Sequence, residues 1–104
     1  MLSSIFRYSF KNGTPKKIIN TPLFNLKYEK NNLSKPQIAI VASKKIDNRA
    51  TVRNKVKRIF SEELRKILNK SLSYDLVFYL KKDVLNKDNS YLEKEISKVL
   101  KNLS

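Results

Sequence analysis

The stretch QIAIVASKKIDNRATVRNKVKR, residues 37–58, decides the fold, because in it an apolar strand runs through a basic turn into a helix. Residues 37–42 (QIAIVA) are almost uniformly apolar, which predicts a central strand covered on both faces. Helical spacing runs from about Thr51 to Asn69, and the apolar residues on one flank are Val52, Val56, Ile59, Phe60, Leu64, Ile67 and Leu68. The β-prone run from Tyr74 to Leu80 then completes a βαβ unit with a parallel pair of strands.

The flanking segments extend this unit to one α+β domain, residues 1–104, in the order α-β-β-α-β-α with a small mixed sheet. A short helix is predicted from Ser3 to Lys11, ended by Gly13. A strand from about Leu23 to Glu29 precedes a short polar turn, so we expect it to pair antiparallel with the next strand. Ser90 and Glu93 form a capping-box pattern before a last amphipathic helix, whose apolar stripe is Leu92, Ile96, Val99, Leu100 and Leu103.

Composition limits the classes of function. The chain has 23 Lys and Arg against 9 Asp and Glu, a net charge of +14 that calls for a polyanionic partner, with nucleic acid favoured over an anionic membrane or an acidic protein. No spanning apolar run or secretory signal is visible, so we expect a cytoplasmic protein. Cys and His are absent and the carboxylates are scattered, which argues against a protein-based active site and against a cofactor or metal bound by the protein alone.

The segment from Ser43 to Arg58 concentrates the positive charge, with seven Lys or Arg against the single Asp47. A basic helix is often only a solvated face, but these cations surround a helix start, where the helix dipole already makes them unfavourable. Such placement favours an anionic ligand. The candidate RNA-binding residues are Lys44, Lys45, Arg49, Arg53, Asn54, Lys55, Lys57 and Arg58.

Four aromatic residues are candidates for stacking on unpaired bases. For each of them alone, packing in the core is the favoured alternative. They are Phe6, Phe10, Phe24 and Tyr28.

Three motifs follow one another along the chain: Phe6 and Phe10 before KNGT at 11–14; SKK at 43–45 with RNKVKR at 53–58 after a spacer of seven residues; and DLVF at 75–78. In this order they resemble the protein subunit of bacterial ribonuclease P over nearly the whole chain. The resemblance implies a left-handed βαβ crossover, against the general preference.

The same resemblance implies that the chain is the protein subunit of a ribonucleoprotein endoribonuclease. Its partners would be the ribonuclease P RNA and precursor tRNA, with no obligate protein partner and no membrane. The RNA subunit would carry catalysis, holding most of the magnesium, and the protein would help to remove the 5′ leader. The alternative is a non-enzymatic RNA-binding scaffold such as a ribosomal protein. A basic helix on a membrane surface is a third class, and a protein-only nuclease is the weakest.

Residue roles also follow from the resemblance. The signature Arg53, Asn54, Lys55, Lys57 and Arg58 would face the RNA subunit, with Val52 and Val56 facing the core and Lys44 and Lys45 as the strand-end pair. Phe6, Phe10 and Phe24 would line the groove for the single-stranded leader, to which Tyr28 is added. The chain departs from the family pattern at Lys55 and Ser61, where arginine is common, and at Gln37, where a basic residue is usual. Two consequences stay open: the affinity for the leader is weaker, or Lys16, Lys17 and Lys27 supply the contacts instead.

Overall fold

The fold is given by a computed structural model that describes residues 15–31, 35–68, 73–86 and 88–103. Its strands and helices follow in the order β1 (Lys17–Asn20), β2 (Phe24–Lys30), β3 (Gln37–Val41), α1 (Ala50–Ile67), β4 (Tyr74–Leu80), a 3₁₀ helix (Lys82–Asn86) and α2 (Asn89–Lys101). The three predicted strands and the two predicted helices after residue 15 are therefore confirmed. The helix predicted from Ser3 to Lys11 lies outside the described residues.

One strand was missed by the sequence prediction. β1 has only four residues, and Ile19 is its one partly buried residue, so it has neither the length nor the alternation of a typical strand. It pairs antiparallel with β2, with Ile19 opposite Leu26. Its edge position leaves Ile18 55% exposed.

The four strands form one mixed sheet in the order β1-β2-β4-β3. β3 and β4 are parallel, which confirms the predicted βαβ unit, whereas β2 and β4 are antiparallel. Two predictions are wrong. β3 is an edge strand rather than a central one, and β2 does not pair with β3, because β4 lies between them. The left-handed crossover stays a prediction from the resemblance.

The core lies between one sheet face and the two helices. Phe24 of β2, Phe60 of α1 and Phe78 of β4 are fully buried and stack edge-on or tilted, with ring centroids 5.0 to 5.4 Å apart. Edge-to-face aromatic pairs add to the free energy of burial. The stripe predicted for the last helix is confirmed, since Leu92, Ile96, Val99 and Leu103 are buried in the same cluster.

The N-terminus of α2 is capped two residues earlier than predicted. Asp88, not Ser90, is the N-cap, and its Oδ1 accepts a hydrogen bond from the backbone N–H of Tyr91 at 2.9 Å. Asp at an N-cap satisfies a donor that the first helical turn leaves unpaired. The 3₁₀ helix and this cap place the start of α2 beside the start of α1.

The two ends of α1 differ in how well the core covers them. Near the C-terminal half, Phe60 and Leu64 are fully buried, and so is the carboxylate of Glu63, paired with Lys66 at 3.1 Å. Near the N-terminal half, Val52 and Val56 are only half-buried. The prediction that these two valines face the core is therefore only partly correct, because their side chains keep an accessible surface.

Candidate nucleic-acid interface

The basic turn between β3 and α1 is held by one buried side chain. Ile46 is 2% exposed, and its backbone N–H donates to the carbonyl of Ser43 at 3.1 Å. The hydroxyl of Ser43 accepts from the backbone N–H of Lys45 at 3.3 Å. With Ile46 anchored in the core, Lys44 and Lys45 are left exposed just after the strand.

The only carboxylate in this segment, that of Asp47, forms an ion pair with Arg49. Its Oδ1 accepts hydrogen bonds from the backbone N–H and the Nε of Arg49, at 2.8 and 3.1 Å, and its Oδ2 accepts from Nη2 at 3.0 Å. These hydrogen bonds lower the pKa of Asp47 from its usual 3.8 to about 2, and they raise the pKa of Arg49. The Arg49 side chain stays 73% exposed, so it can still meet a phosphate.

No acidic side chain among the described residues caps the N-terminus of α1. Its N-cap is Arg49, which makes no side-chain capping hydrogen bond, and its first turn contains no acidic residue. Instead, Nη1 of Arg53 donates to the backbone carbonyls of Asp47 and Asn48, both at 3.0 Å, and so ties the helix to the turn. The positive end of the helix dipole is therefore surrounded by cations, as the sequence indicated.

The other signature residues divide between two levels of exposure. Asn54, Lys55 and Arg58 are exposed and form the outer face of α1, whereas Lys57 is half-buried. Ser61, one of the positions that depart from the resembled pattern, is 2% exposed and its Oγ donates to the carbonyl of Lys57 at 2.9 Å. Position 61 thus belongs to the packed side of the helix and not to its outer face.

Sequence reasoning missed one basic residue of the interface, Lys82 in the 3₁₀ helix. Since β3 and β4 are parallel, their C-terminal ends meet at the same edge of the sheet, and Lys82 follows β4 there. It lines an open cleft of about 490 Å³ together with Lys44, Lys45 and Arg49. These four residues form a cation shelf. The pair Lys81-Lys82 directly after a strand predicted to be parallel was the available signal.

The predicted leader-groove residues have different outcomes. Phe6 and Phe10 lie outside the described residues. Phe24 is fully buried between Phe60 and Phe78, so the prediction that it lines a groove is wrong: its ring has no accessible face. Tyr28 is half-buried on the same sheet face, with its ring 6.2 Å from that of Tyr74 at the margin of the core.

A different set of side chains lies on the second sheet face, opposite α1 and α2. Asn25, Lys27 and Tyr79 alternate with the core residues of β2 and β4, and Asn25 is directly opposite Tyr79 in the strand register. Nζ of Lys27 lies 5.4 Å from the centre of the Tyr79 ring. The Asn25 Oδ1 is buried and has no hydrogen-bond partner among the described residues. This face therefore combines an aromatic ring and a nearby cation with a buried amide oxygen.

Two further findings concern metals and membranes. Within residues 15–31, 35–68, 73–86 and 88–103, no three acidic side chains come close enough together to hold a metal ion. In the same part of the chain, no helix is long and apolar enough to cross a membrane.

Comparison with known protein families gives one consistent result. The family model described as Ribonuclease P matches residues 3–104. The ribonuclease P protein component of Histophilus somni strain 2336 is 35% identical over 83 residues, which cover 80% of this chain and 70% of that protein. The corresponding protein of Clostridium botulinum strain 657 is 33% identical over 98 residues, which cover 92% of this chain and 85% of that protein.

Solved structures agree with these relatives. The ribonuclease P protein from Thermotoga maritima, solved in complex with 1-(4-fluorophenyl)-2-thiourea, superposes with a TM-score of 0.72 at 25% identity, over 85% of this chain and 86% of that one. The protein from Staphylococcus aureus superposes with a TM-score of 0.68 over 82% of this chain and 78% of that one, and at 22% identity it supports the fold alone.

Proposed function

Since the chain belongs to the ribonuclease P protein family, whose members are subunits of the endoribonuclease that matures the 5′ ends of tRNA, we propose that its cation shelf and the outer face of α1 bind the catalytic RNA subunit. The observation that carries the proposal is the convergence of Lys44, Lys45, Arg49 and Lys82 at one edge of the sheet, beside the start of α1.

Electrostatics support this assignment. Among the described residues, Asp47 is the one carboxylate that lines the cleft, and it is already engaged by Arg49, so the shelf offers a nearly unopposed positive field to phosphates. Arg58 on the outer face of α1 extends that field along the helix with the planar donors that suit phosphate oxygens. Phosphate contacts of this kind supply affinity and register, and they make binding strongly dependent on salt.

The precursor tRNA leader is assigned, in the same proposal, to the second sheet face. Tyr79 and Lys27 supply a stacking ring and a cation at the distance of a cation–π contact. Phe6, Phe10 and Tyr28 stay predicted contributors from the resemblance. Phe24 has no part in this surface, because it belongs to the core.

Catalysis, in this proposal, belongs to the RNA. Magnesium, which would be held mainly by the RNA, would supply a metal-activated water for the hydrolysis. The described acidic side chains do not fit a resident metal site, since they are not gathered in one place. The role of the protein is to bind and orient two polyanionic RNAs and to reduce the repulsion between them.

The test is reconstitution with the cognate RNA subunit at low magnesium, using precursor tRNAs with leaders of graded length. The protein should lower the magnesium needed for cleavage, and it should favour substrates with longer leaders. If about six to eight phosphates are engaged, the logarithm of affinity should fall steeply with the logarithm of salt, by about 0.7 per contact on single strands. RNA binding without any stimulation of cleavage would instead indicate a scaffold.

A further inference from the structure

An apolar groove lies next to the cation shelf. Its walls come from α1, the 3₁₀ helix and α2, and the groove encloses about 330 Å³ between Val52, Val56, Ile59, Val84, Leu85 and Leu92. Val84 and Leu92 are buried and form the floor, whereas Leu85 is 36% exposed at the rim. The N-terminal half of α1 thus keeps apolar surface that the core does not cover.

The polar residues that line this groove also indicate what kind of ligand it can bind. Lys55 and Asn89 line it, and none of the described residues that line it is acidic. Leu85 lines both the groove and the cleft of the cation shelf, so the two surfaces are continuous. A ligand that spans both surfaces must carry a negatively charged group next to a flat or apolar group that can be buried away from water.

We propose that the apolar groove receives one unpaired nucleobase of the RNA subunit, while the neighbouring phosphates lie on the cation shelf. This inference rests on the proposed function, since it takes the RNA subunit as the partner of the shelf. The base would place its faces against the aliphatic walls, and its edge would meet the Asn89 amide, which can both donate and accept. The aliphatic stem of Lys55 would cover the base while its ammonium group reaches the backbone.

A nucleobase fits the groove better than other occupants because of the charge around it. Apolar surface alone would suit any protein partner, but the adjoining Lys44, Lys45, Arg49 and Lys82 favour a partner with several negative charges. Single-stranded RNA combines both features, because unpaired bases in loops and bulges can be turned out of the stack beside their own phosphates. If an acidic peptide or a second copy of the chain binds the groove instead, the crosslinking experiment below should give a crosslink to protein.

The first experiment compares two kinds of variant in binding to the cognate RNA subunit across a salt series. Leu85→Ser should weaken binding about tenfold with an unchanged salt slope, because it removes apolar contact and no charge. Lys82→Ala should reduce the salt slope. Ile18→Ser, which removes an even more exposed apolar side chain on β1 (55% against 36% for Leu85), is the control and should bind normally. Thermal unfolding of each variant monitors the fold, and Val52→Thr, which keeps the side-chain shape, repeats the test within α1.

The second experiment identifies the occupant. With p-benzoylphenylalanine in place of Leu85, irradiation of the complex should crosslink an unpaired nucleotide of the RNA subunit. An abasic residue at that nucleotide should weaken binding of the wild type, and Leu85→Ser should then cause no further loss.

The outcomes separate the two proposals. If Lys82→Ala and Arg58→Ala leave both affinity and salt slope unchanged, the proposed RNA interface itself is wrong. If those variants act as expected while Leu85→Ser and Val52→Thr bind normally, the nucleobase inference is overturned. A crosslink to protein, or additive losses from the abasic residue and Leu85→Ser, overturns it as well.

Discussion

Nη1 of Arg53 lies 3.0 Å from the backbone carbonyl oxygen of Asp47 and donates a hydrogen bond to it, so this signature arginine fastens the basic turn to the helix that follows. The same nitrogen donates to the carbonyl of Asn48. Arg58, one turn further along α1, is exposed, and the described residues give it no hydrogen bond or ion pair. The two arginines therefore differ in what they do for the fold.

Arg53→Ala is expected to lower the free energy of unfolding by about 1 kcal/mol, because two carbonyls lose a charged donor. Arg58→Ala should stay within about 0.5 kcal/mol of the wild type, as surface changes usually do, yet weaken binding of the RNA subunit. Urea unfolding and RNA titration measure both quantities. Arg53→Lys, which keeps the charge but loses the planar donors, is the control, and equal stability of Arg53→Ala and Arg58→Ala would contradict the prediction.

Lys82→Ala is expected to weaken binding of the RNA subunit and to reduce the salt slope by about 1, because one phosphate contact is lost. Lys94→Ala is a matched control: it removes the same charge from the exposed face of α2, away from the cation shelf. Filter binding at four or five salt concentrations gives both slopes. Identical slopes for the two variants would mean that Lys82 contributes only to the general field.

Asp47 makes stability depend on pH in the acid range. Its pKa is about 2 in the folded protein and near 3.8 when unfolded, so its contribution is complete above about pH 4 and is lost as the pH falls towards 2. Asp47→Asn should be less stable than the wild type at pH 7, and the difference should shrink between pH 4 and pH 2. Urea unfolding midpoints at pH 7, 4, 3 and 2 check this, and a constant difference would contradict it.

Tyr79→Ala is expected to weaken binding of precursor tRNA with a long leader about tenfold, because a stacking surface for one base is lost. Tyr79→Phe keeps the ring and should retain most of the affinity. Titration with precursors of long and very short leaders separates leader contacts from contacts to the rest of the tRNA. If Tyr79→Ala weakens both substrates equally, the second sheet face does not hold the leader.

Phe24→Ala should act on the fold. The ring is fully buried, 5.4 Å from those of both Phe60 and Phe78, so its loss should lower the free energy of unfolding by about 3 to 5 kcal/mol. Phe24→Leu, which refills part of the cavity, should cost less. Thermal unfolding measures the loss, and leader affinity of the folded Phe24→Leu variant should equal that of the wild type. A selective loss of leader affinity would contradict this prediction and indicate that Phe24 contributes to the leader groove.

Local patterns were sufficient for much of this protein. The alternation in β2, the apolar run of β4 and the helical spacing of α1 and α2 each reflect contacts along a short segment, and their predicted positions agree with the structure. The basic segment from Lys44 to Arg58 was also evident from its charge alone, because a dense set of cations around a helix start is unfavourable without an anionic partner.

Tertiary structure decided the order of the strands in the sheet and which sheet face is covered. The run QIAIV is apolar enough for a central strand, yet β4 lies between β2 and β3 and leaves β3 at the edge. The helices cover the sheet face that carries Phe24, and this places Phe24 in the core; its residue type alone favoured the core, and only the resemblance assigned it to a groove.

The interface shows the same division between sequence and structure. Lys44, Lys45 and the outer face of α1 follow from one continuous stretch, so the amino-acid sequence by itself identified them. Lys82 and Leu85 join them only because two parallel strands end at the same edge of the sheet, which brings residues nearly forty positions apart along the chain into one cleft. Charge is a property of composition, whereas the shelf and the groove beside it exist only once the strands have paired and the helices have packed.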